Sequence, residues 1–201
     1  MGADGEMIDL DGTLFDTKEI NYRAYKEAIE PYGFSIDYEY YCEFCNGRHY
    51  IDFLPQITTN DEKILLEMHK RKKEAYSKYI SFGKVNQMLV DLIKNRGDEC
   101  KAASVTTASK QNAYDILQGF NLVGIFDLIL THEDVEKVKP DPEGFLKAMK
   151  IFHSMPGECV VFEDSAVGIE AAEKSGATVF VVKGFNWLQI LYKDDFHIEF
   201  D

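Results

Sequence analysis

Hydrophobic residues recur with two different periods along this chain, and the change of period divides it. A short apolar pair, Met7-Ile8, comes first, behind a polar lead-in of Gly5 and Glu6 that makes a poor strand start. From Lys18 the spacing becomes helical, with Tyr22, Tyr25, Ala28, Ile29 and Tyr32 on one side and Pro31 and Gly33 as the stop. Residues 37–57 are aromatic-rich and read as helical in pieces, with a break at Gly47 and Pro55 near the end. Thr59 and Glu62 have the form of a capping box. They open a long helix with Ile64, Leu65, Met68, Ala75, Tyr76, Tyr79 and Ile80 on one side, and Lys70 to Glu74 read as its solvated face. Nothing in 18–80 reads as a strand, and this helical stretch ends at Ser81-Phe82-Gly83.

Beyond Gly83 the pattern alternates. A helix from Asn86 to Asn95 stops at Gly97, and a strand follows over Ala102 to Thr106. Ser109 caps a helix that passes through Ile116 and Leu117 and closes at Gly119. Then come a strand (Phe126 to Leu130), a helix (Pro142 to Phe152), a strand (Val160 to Phe162), a helix from Ser165 to near Gly176, and a last strand (Val179 to Val182). Such alternation predicts an α/β fold: a Rossmann-like parallel sheet with helices on both faces. The first strand cannot form a sheet alone and must pair with strands after residue 97. The expected organisation is a discontinuous core, 1–16 plus 84–201, interrupted by an all-α insert at 17–83 that lies over one edge. Two features sit awkwardly with it: the short first strand and the polar segment Gly97-Asp98-Glu99-Cys100-Lys101 before a central strand.

Composition narrows the function more than the fold. In a chain of 201 residues, 35 acidic side chains against 22 basic give a net charge of -13, which argues against nucleic acid or an anionic membrane as the main partner. A small anionic substrate is still compatible, because a metal ion and a lysine can make a local positive site. No apolar run reaches the roughly 18 residues of a membrane-spanning helix, and Met1 to Glu6 lacks the regions of a signal peptide. A soluble, cytoplasmic protein, monomeric or weakly dimeric, is expected. Four cysteines in 201 residues do not form a disulfide scaffold. Cys42 and Cys45 have the C-x-x-C spelling without a second pair, and read as packing residues.

The chemistry-bearing residues fall at strand ends, where sites form in open α/β sheets. Asp9 and Asp11 follow the first strand. On an extended backbone they would face one small space, a costly arrangement unless a proton or a cation lies between them. Thr106 and Thr107 follow the second strand, Glu163 and Asp164 follow Phe162, and Lys139 lies in the loop beyond Leu130.

These segments, Asp9-Leu10-Asp11-Gly12-Thr13, Thr107, Lys139-Pro140, and Glu163-Asp164-Ser165 with Val167-Gly168-Ile169, together resemble the haloacid dehalogenase-like hydrolase superfamily. The insert right after the first motif is similar to that of members with a small helical cap, in the branch of β-phosphoglucomutase and related phosphatases. The resemblance implies Asp9 as nucleophile and Asp11 as general acid and base, and Asp11 favours phosphoryl transfer over dehalogenation. It further implies Thr107 and Lys139 as phosphate-binding groups. Mg²⁺ would be held by Asp9, Asp164, the backbone carbonyl of Asp11 and, less firmly, Glu163. The cap would choose the leaving group, with Asn21, Gly47, Arg48 and His49 as candidates. Related sugar-phosphate mutases carry histidine where this chain has Asn21, which favours a phosphatase. The expectation is a Mg²⁺-dependent phosphatase of a small phosphorylated metabolite such as a sugar phosphate. A phosphomutase and a non-catalytic binding protein are the alternatives.

Overall fold

A computed structural model of the chain describes residues 4–185 and the backbone of Ile190–Tyr192. The end of the expected core, 193–201, lies outside the described residues. The chain forms two compact units, Thr17–Gly83 and the pair of segments Met1–Asp16 and Lys84–Asp201. Among the described residues no helix is long and apolar enough to cross a membrane.

The unit Thr17–Gly83 is all helical. It contains α1 (Lys18–Ile29), a single turn α2 (Tyr38–Tyr40) that runs into a π-helical turn at Tyr41–Cys45, α3 (Tyr50–Ile57) and α4 (Glu62–Ala75). Its interior is aromatic: Tyr25, Tyr41 and Phe53 are buried with Ile29, Leu54 and Met68, and Tyr25 meets Phe53 edge-on at 5.0 Å. Cys42 and Cys45 are free thiols in this packing. Two expectations need correction. The cap of α4 is Asp61, whose carboxylate accepts from the backbone N–H groups of Lys63 and Ile64, while Thr59 Oγ1 accepts from Asp61 N one turn earlier. A carboxylate at this position satisfies two orphan donors and complements the helix dipole, so it displaces the box. The α-helix also ends at Ala75. Tyr76–Phe82 continues as 3₁₀, and there Lys78 and Tyr79 both donate to the Glu27 carboxylate of α1.

The second unit is built on a sheet. Its strands are β1 (Gly5–Ile8), β4 (Lys101–Val105), β5 (Leu128–Leu130), β6 (Cys159–Glu163), β7 (Thr178–Val182) and β8 (Ile190–Tyr192), in the order β5-β4-β1-β6-β7-β8. All pairs are parallel except β7–β8, an antiparallel edge that the sequence pattern had not suggested. A ribbon of two residues per strand, β2 (Phe15–Asp16) with β3 (Lys84–Val85), closes this unit where the chain leaves it and returns. Helices α5 (Gln87–Lys94), α6 (Lys110–Gly119), α7 (Glu143–Phe152) and α8 (Ala166–Ser175) cover the sheet. On one face Met7, Ala103, Val105 and Val161 pack with Phe145, Ala148 and Met149 of α7 and Ala171 and Ala172 of α8. Strand alternation sends Ile8, Ala102 and Phe162 to the other face, and all are buried. The turn after α6 is made by Asn121 in the left-handed region (φ 56), and Gly119 stays helical.

The polar lead-ins have a physical explanation. β1 is central and paired on both sides, with Gly5 beside both Lys101 and Cys159. A Cβ at Gly5 would stand 3.1 Å from Cys159 Sγ, so glycine suits this close approach. The polar segment before β4 is tied down by Arg96. Its guanidinium donates to the carbonyls of Ile93, Cys100 and Ile125 and pairs with Asp127 at 3.0 Å, and Asp127 in turn accepts from Ala102 N.

Candidate active site

β1 ends at Ile8, and the next residues form a tight turn rather than a continued strand. Leu14 N donates to Asp9 O, Phe15 N to Leu10 O and Gly12 N to Phe15 O, and Gly12 adopts φ +93 to allow it. The turn places Asp9 at the carboxyl end of the sheet, where Asp9 N donates to Phe162 O of β6. Asp9 is nearly buried at 7% exposure. Parallel pairing of β1 with β6 then brings Glu163 and Asp164 alongside.

Lys139 occupies the centre. Its Nζ donates to Asp9 Oδ1 at 2.7 Å, to Glu163 Oε1 at 2.5 Å and to the Val105 carbonyl at 2.8 Å, with only 6% of its side chain exposed. Burial works against the ammonium, but Asp9 and Glu163 outweigh it and hold its pKa above the ordinary lysine value. Asp9 is pushed well above the usual carboxylate range, first by burial and then by Glu163 and Asp164, with Lys139 opposing. The Asp164 carboxyl rises to about 6, chiefly by burial of the group and by nearby Glu163 and Asp11, while a hydrogen bond from Thr13 opposes the rise.

Glu163 is fully enclosed (0% exposure) and its oxygens are saturated by protein donors. Oε1 takes Lys139, and Oε2 takes the backbone N–H of Asp164 and Ser165 together with the Ser165 hydroxyl. Ser165 Oγ also caps α8 by accepting from Gly168 N. Gly168 is where α8 passes the carboxylate, and a Cβ there would overlap Glu163. Gly168→Ala is therefore expected to lower stability by about 1–3 kcal/mol through overpacking and to displace Glu163 from Lys139. Urea denaturation checks the first effect, and a fall in the raised Lys139 pKa, followed by NMR titration, checks the second.

Asp9, Glu163 and Asp164 offer oxygens within 4.8 Å of one another. An all-oxygen set with this much negative charge suits a hard divalent cation. Asp11 is half-buried, and its carboxylate stands outside that cluster because β1 stops at Ile8 and the chain turns at Gly12. Asp9 is grouped there with Glu163 and Asp164, and the Asp11 charge acts on Asp164. Thr107 is exposed and lines a pocket with Val138, Lys139 and Gly144, while Thr106 is buried and its hydroxyl accepts from Ala108 N. Thr13 Oγ1 donates to Asp164 Oδ1 at 2.8 Å, a contact that sequence reasoning missed although Thr13 stands inside the first motif.

The candidates in the helical unit have local partners of their own. Asn21 Nδ2 donates to Thr17 Oγ1 at 3.1 Å. Arg48 is exposed, and its terminal nitrogens donate to the carbonyls of Phe44 and Asp52, tying the π turn to α3. Gly47 takes φ +77 after that turn, and His49 stands at the position before α3 with its ring 4.7 Å from Tyr50.

The sequence signature of haloacid dehalogenase-like hydrolases matches residues 7–182, spanning every element of the site. The chain belongs to that family. Similar proteins include a phosphorylated carbohydrates phosphatase of Thermotoga maritima, 27% identical over 175 residues that cover 85% of this chain and 80% of the relative. Another is the fructose-1-phosphate phosphatase YqaB of Escherichia coli, 27% identical over 173 residues covering 86% and 92%. Among solved structures, CbbY from Rhodobacter sphaeroides in complex with phosphate superposes with a TM-score of 0.75 over 92% of this chain and 88% of that one. Its 24% identity makes this a likeness of fold. The chain is thus a member of a hydrolase family, and the proteins it is similar to include phosphatases and a β-phosphoglucomutase-like protein.

Proposed function

We propose that the chain is a Mg²⁺-dependent phosphatase that hydrolyses a small phosphorylated metabolite, a sugar phosphate foremost, through an aspartyl-phosphate on Asp9. The observation that carries this reading is the buried Asp9–Lys139–Glu163 cluster with Asp164 beside it at the carboxyl end of the sheet. Asp9 is the nucleophile: it sits on a turn fixed by backbone hydrogen bonds, which holds the attacking oxygen in place. Asp11, on the same turn, protonates the leaving oxygen and then takes a proton from the attacking water. Lys139 offsets the charge that gathers on the phosphoryl oxygens, assisted by the Thr107 hydroxyl. Bound Mg²⁺ would be held by Asp9, Asp164 and the backbone carbonyl of Asp11, and would supply Lewis-acid neutralisation of the phosphoryl group. Glu163, with both oxygens already engaged, is assigned to holding Lys139 in place rather than to direct metal ligation.

The helical unit is assigned to substrate choice, through Asn21, Gly47 and the N–H groups that Arg48 does not spend on backbone carbonyls. The amide of Asn21 is a weaker proton carrier than an imidazole at neutral pH, which supports hydrolysis over mutase chemistry. A phosphate-release screen over sugar, polyol, nucleotide and short-acid phosphates tests the whole reading. Release from a subset, falling roughly 100-fold or more on metal removal, is expected. Isomer formation from a hexose 1-phosphate that outpaces phosphate release would make the chain a mutase. No release from any substrate would overturn the enzymatic assignment.

A further inference from the structure

We infer that Thr13 is a positioning residue that sets the divalent-ion affinity of the site by fixing which way the Asp164 carboxylate faces. The inference rests on the proposed metal site. Thr13 is fully buried (0% exposure), and its hydroxyl donates to Asp164 Oδ1 across 151 positions of sequence. The hydroxyl is itself anchored. The Thr13 carbonyl accepts from Asn86 Nδ2 at 3.4 Å, and Asn86 N donates to the Leu14 carbonyl at 2.8 Å. Asn86 is buried and caps α5 through Leu89 N, so Thr13 is tied to a helix that belongs to the same unit. Gly12 lies against the Asp164 carboxylate, where a Cβ would overlap both of its oxygens. The carboxylate is thereby confined by Gly12 and held at Oδ1 by Thr13.

The confinement has a purpose that Glu163 does not need. Glu163 is immobilised by its own donors, whereas Asp164, directly after the strand, takes its side-chain hydrogen bond from Thr13. A carboxylate that must meet an ion in one orientation loses rotational freedom on binding, and a fixed donor removes that cost in advance. Hydrogen bonds of this kind to metal-ligating carboxylates characteristically alter metal affinity by 10- to 100-fold.

Manganese is the probe, because Mn²⁺ takes oxygen sites of this type and is read directly by electron paramagnetic resonance. In the full chain without substrate, Thr13→Val should weaken Mn²⁺ binding by about tenfold, and Thr13→Ser should keep it within about threefold of wild type, since it retains the hydroxyl. A threonine that merely fills space would change the metal-free melting temperature and leave the Mn²⁺ affinity alone; that result, or equal losses in the Val and Ser variants, overturns the inference. Asp164→Asn separates the two levels. If it too binds Mn²⁺ like wild type, the metal-site reading itself has failed; if it loses binding while Thr13→Val does not, only the role of Thr13 has.

Discussion

Phosphate release by the Asp9→Asn protein is expected to fall by roughly 10⁴-fold or more, the scale on which removal of a catalytic nucleophile acts in other hydrolases. An amide of the same shape keeps the turn of Asp9 to Phe15 and its backbone hydrogen bonds, so the loss reports chemistry. Stability should move the other way. Asp9 is buried and its folded pKa is raised, so its contribution to stability is complete below the unfolded value near 3.8 and is lost as pH rises through the folded value. As pH rises above the unfolded value, the buried carboxyl is thus a growing liability in the metal-free protein. Asparagine removes that liability, and Lys139 keeps Glu163 as a partner at 2.5 Å. Metal-free Asp9→Asn should melt at or above the wild-type temperature at pH 7.5, with the difference shrinking toward pH 4. A variant that is inactive and also much less stable at pH 7.5 would assign Asp9 a structural role. A variant with full activity would remove it as the nucleophile.

How much of this was legible in the sequence depends on range. The alternation of strands and helices was visible because each element carries its own period, and it was enough to give the parallel sheet and the helical insertion. Strand-end carboxylates and a lysine in the right order were visible for the same reason: their residue types and their places after apolar runs are local facts. The partners were not. Glu163 entered as a less firm metal ligand through the family resemblance, and only the fold shows Lys139, Ser165 and the Asp164 amide engaging both of its oxygens. Thr13 sits 151 residues from Asp164, a pairing no spacing encodes. The β2–β3 ribbon has two residues per strand, too short to carry a period. The apparent weakness of β1 came from judging a central strand by its own apolar length, when its support comes from β4 and β6 on either side and from a glycine that lets Cys159 approach.

Lys139→Met tests the same cluster from its positive centre. Methionine fills the channel with a chain of similar length, but Asp9 and Glu163 are left buried without the cation that joined them, and the Val105 carbonyl loses a donor. Removing one partner from a buried ion pair costs about 3–5 kcal/mol, a large part of what holds a domain of this size together. The pH dependence identifies the cause. In the wild type, Lys139 has a raised pKa, so its contribution is complete below the unfolded value near 10.5 and is lost only as pH climbs through the folded value above it. Across the range from pH 5 to 8 that contribution is constant. In the variant the orphaned carboxylates gain stability by taking up protons, so the deficit measured by urea denaturation should be largest at pH 8 and should narrow on acidification toward pH 5. Adding Glu163→Gln removes one orphaned charge, and the double variant should recover part of the loss, a coupling between the two positions that a simple packing defect would not produce. Phosphate release should stay absent in both variants, because the recovered stability returns no positive charge to the phosphoryl oxygens. A deficit that is the same at pH 5 and pH 8 would mean that shape, and not the charge of Lys139, is what the cluster requires.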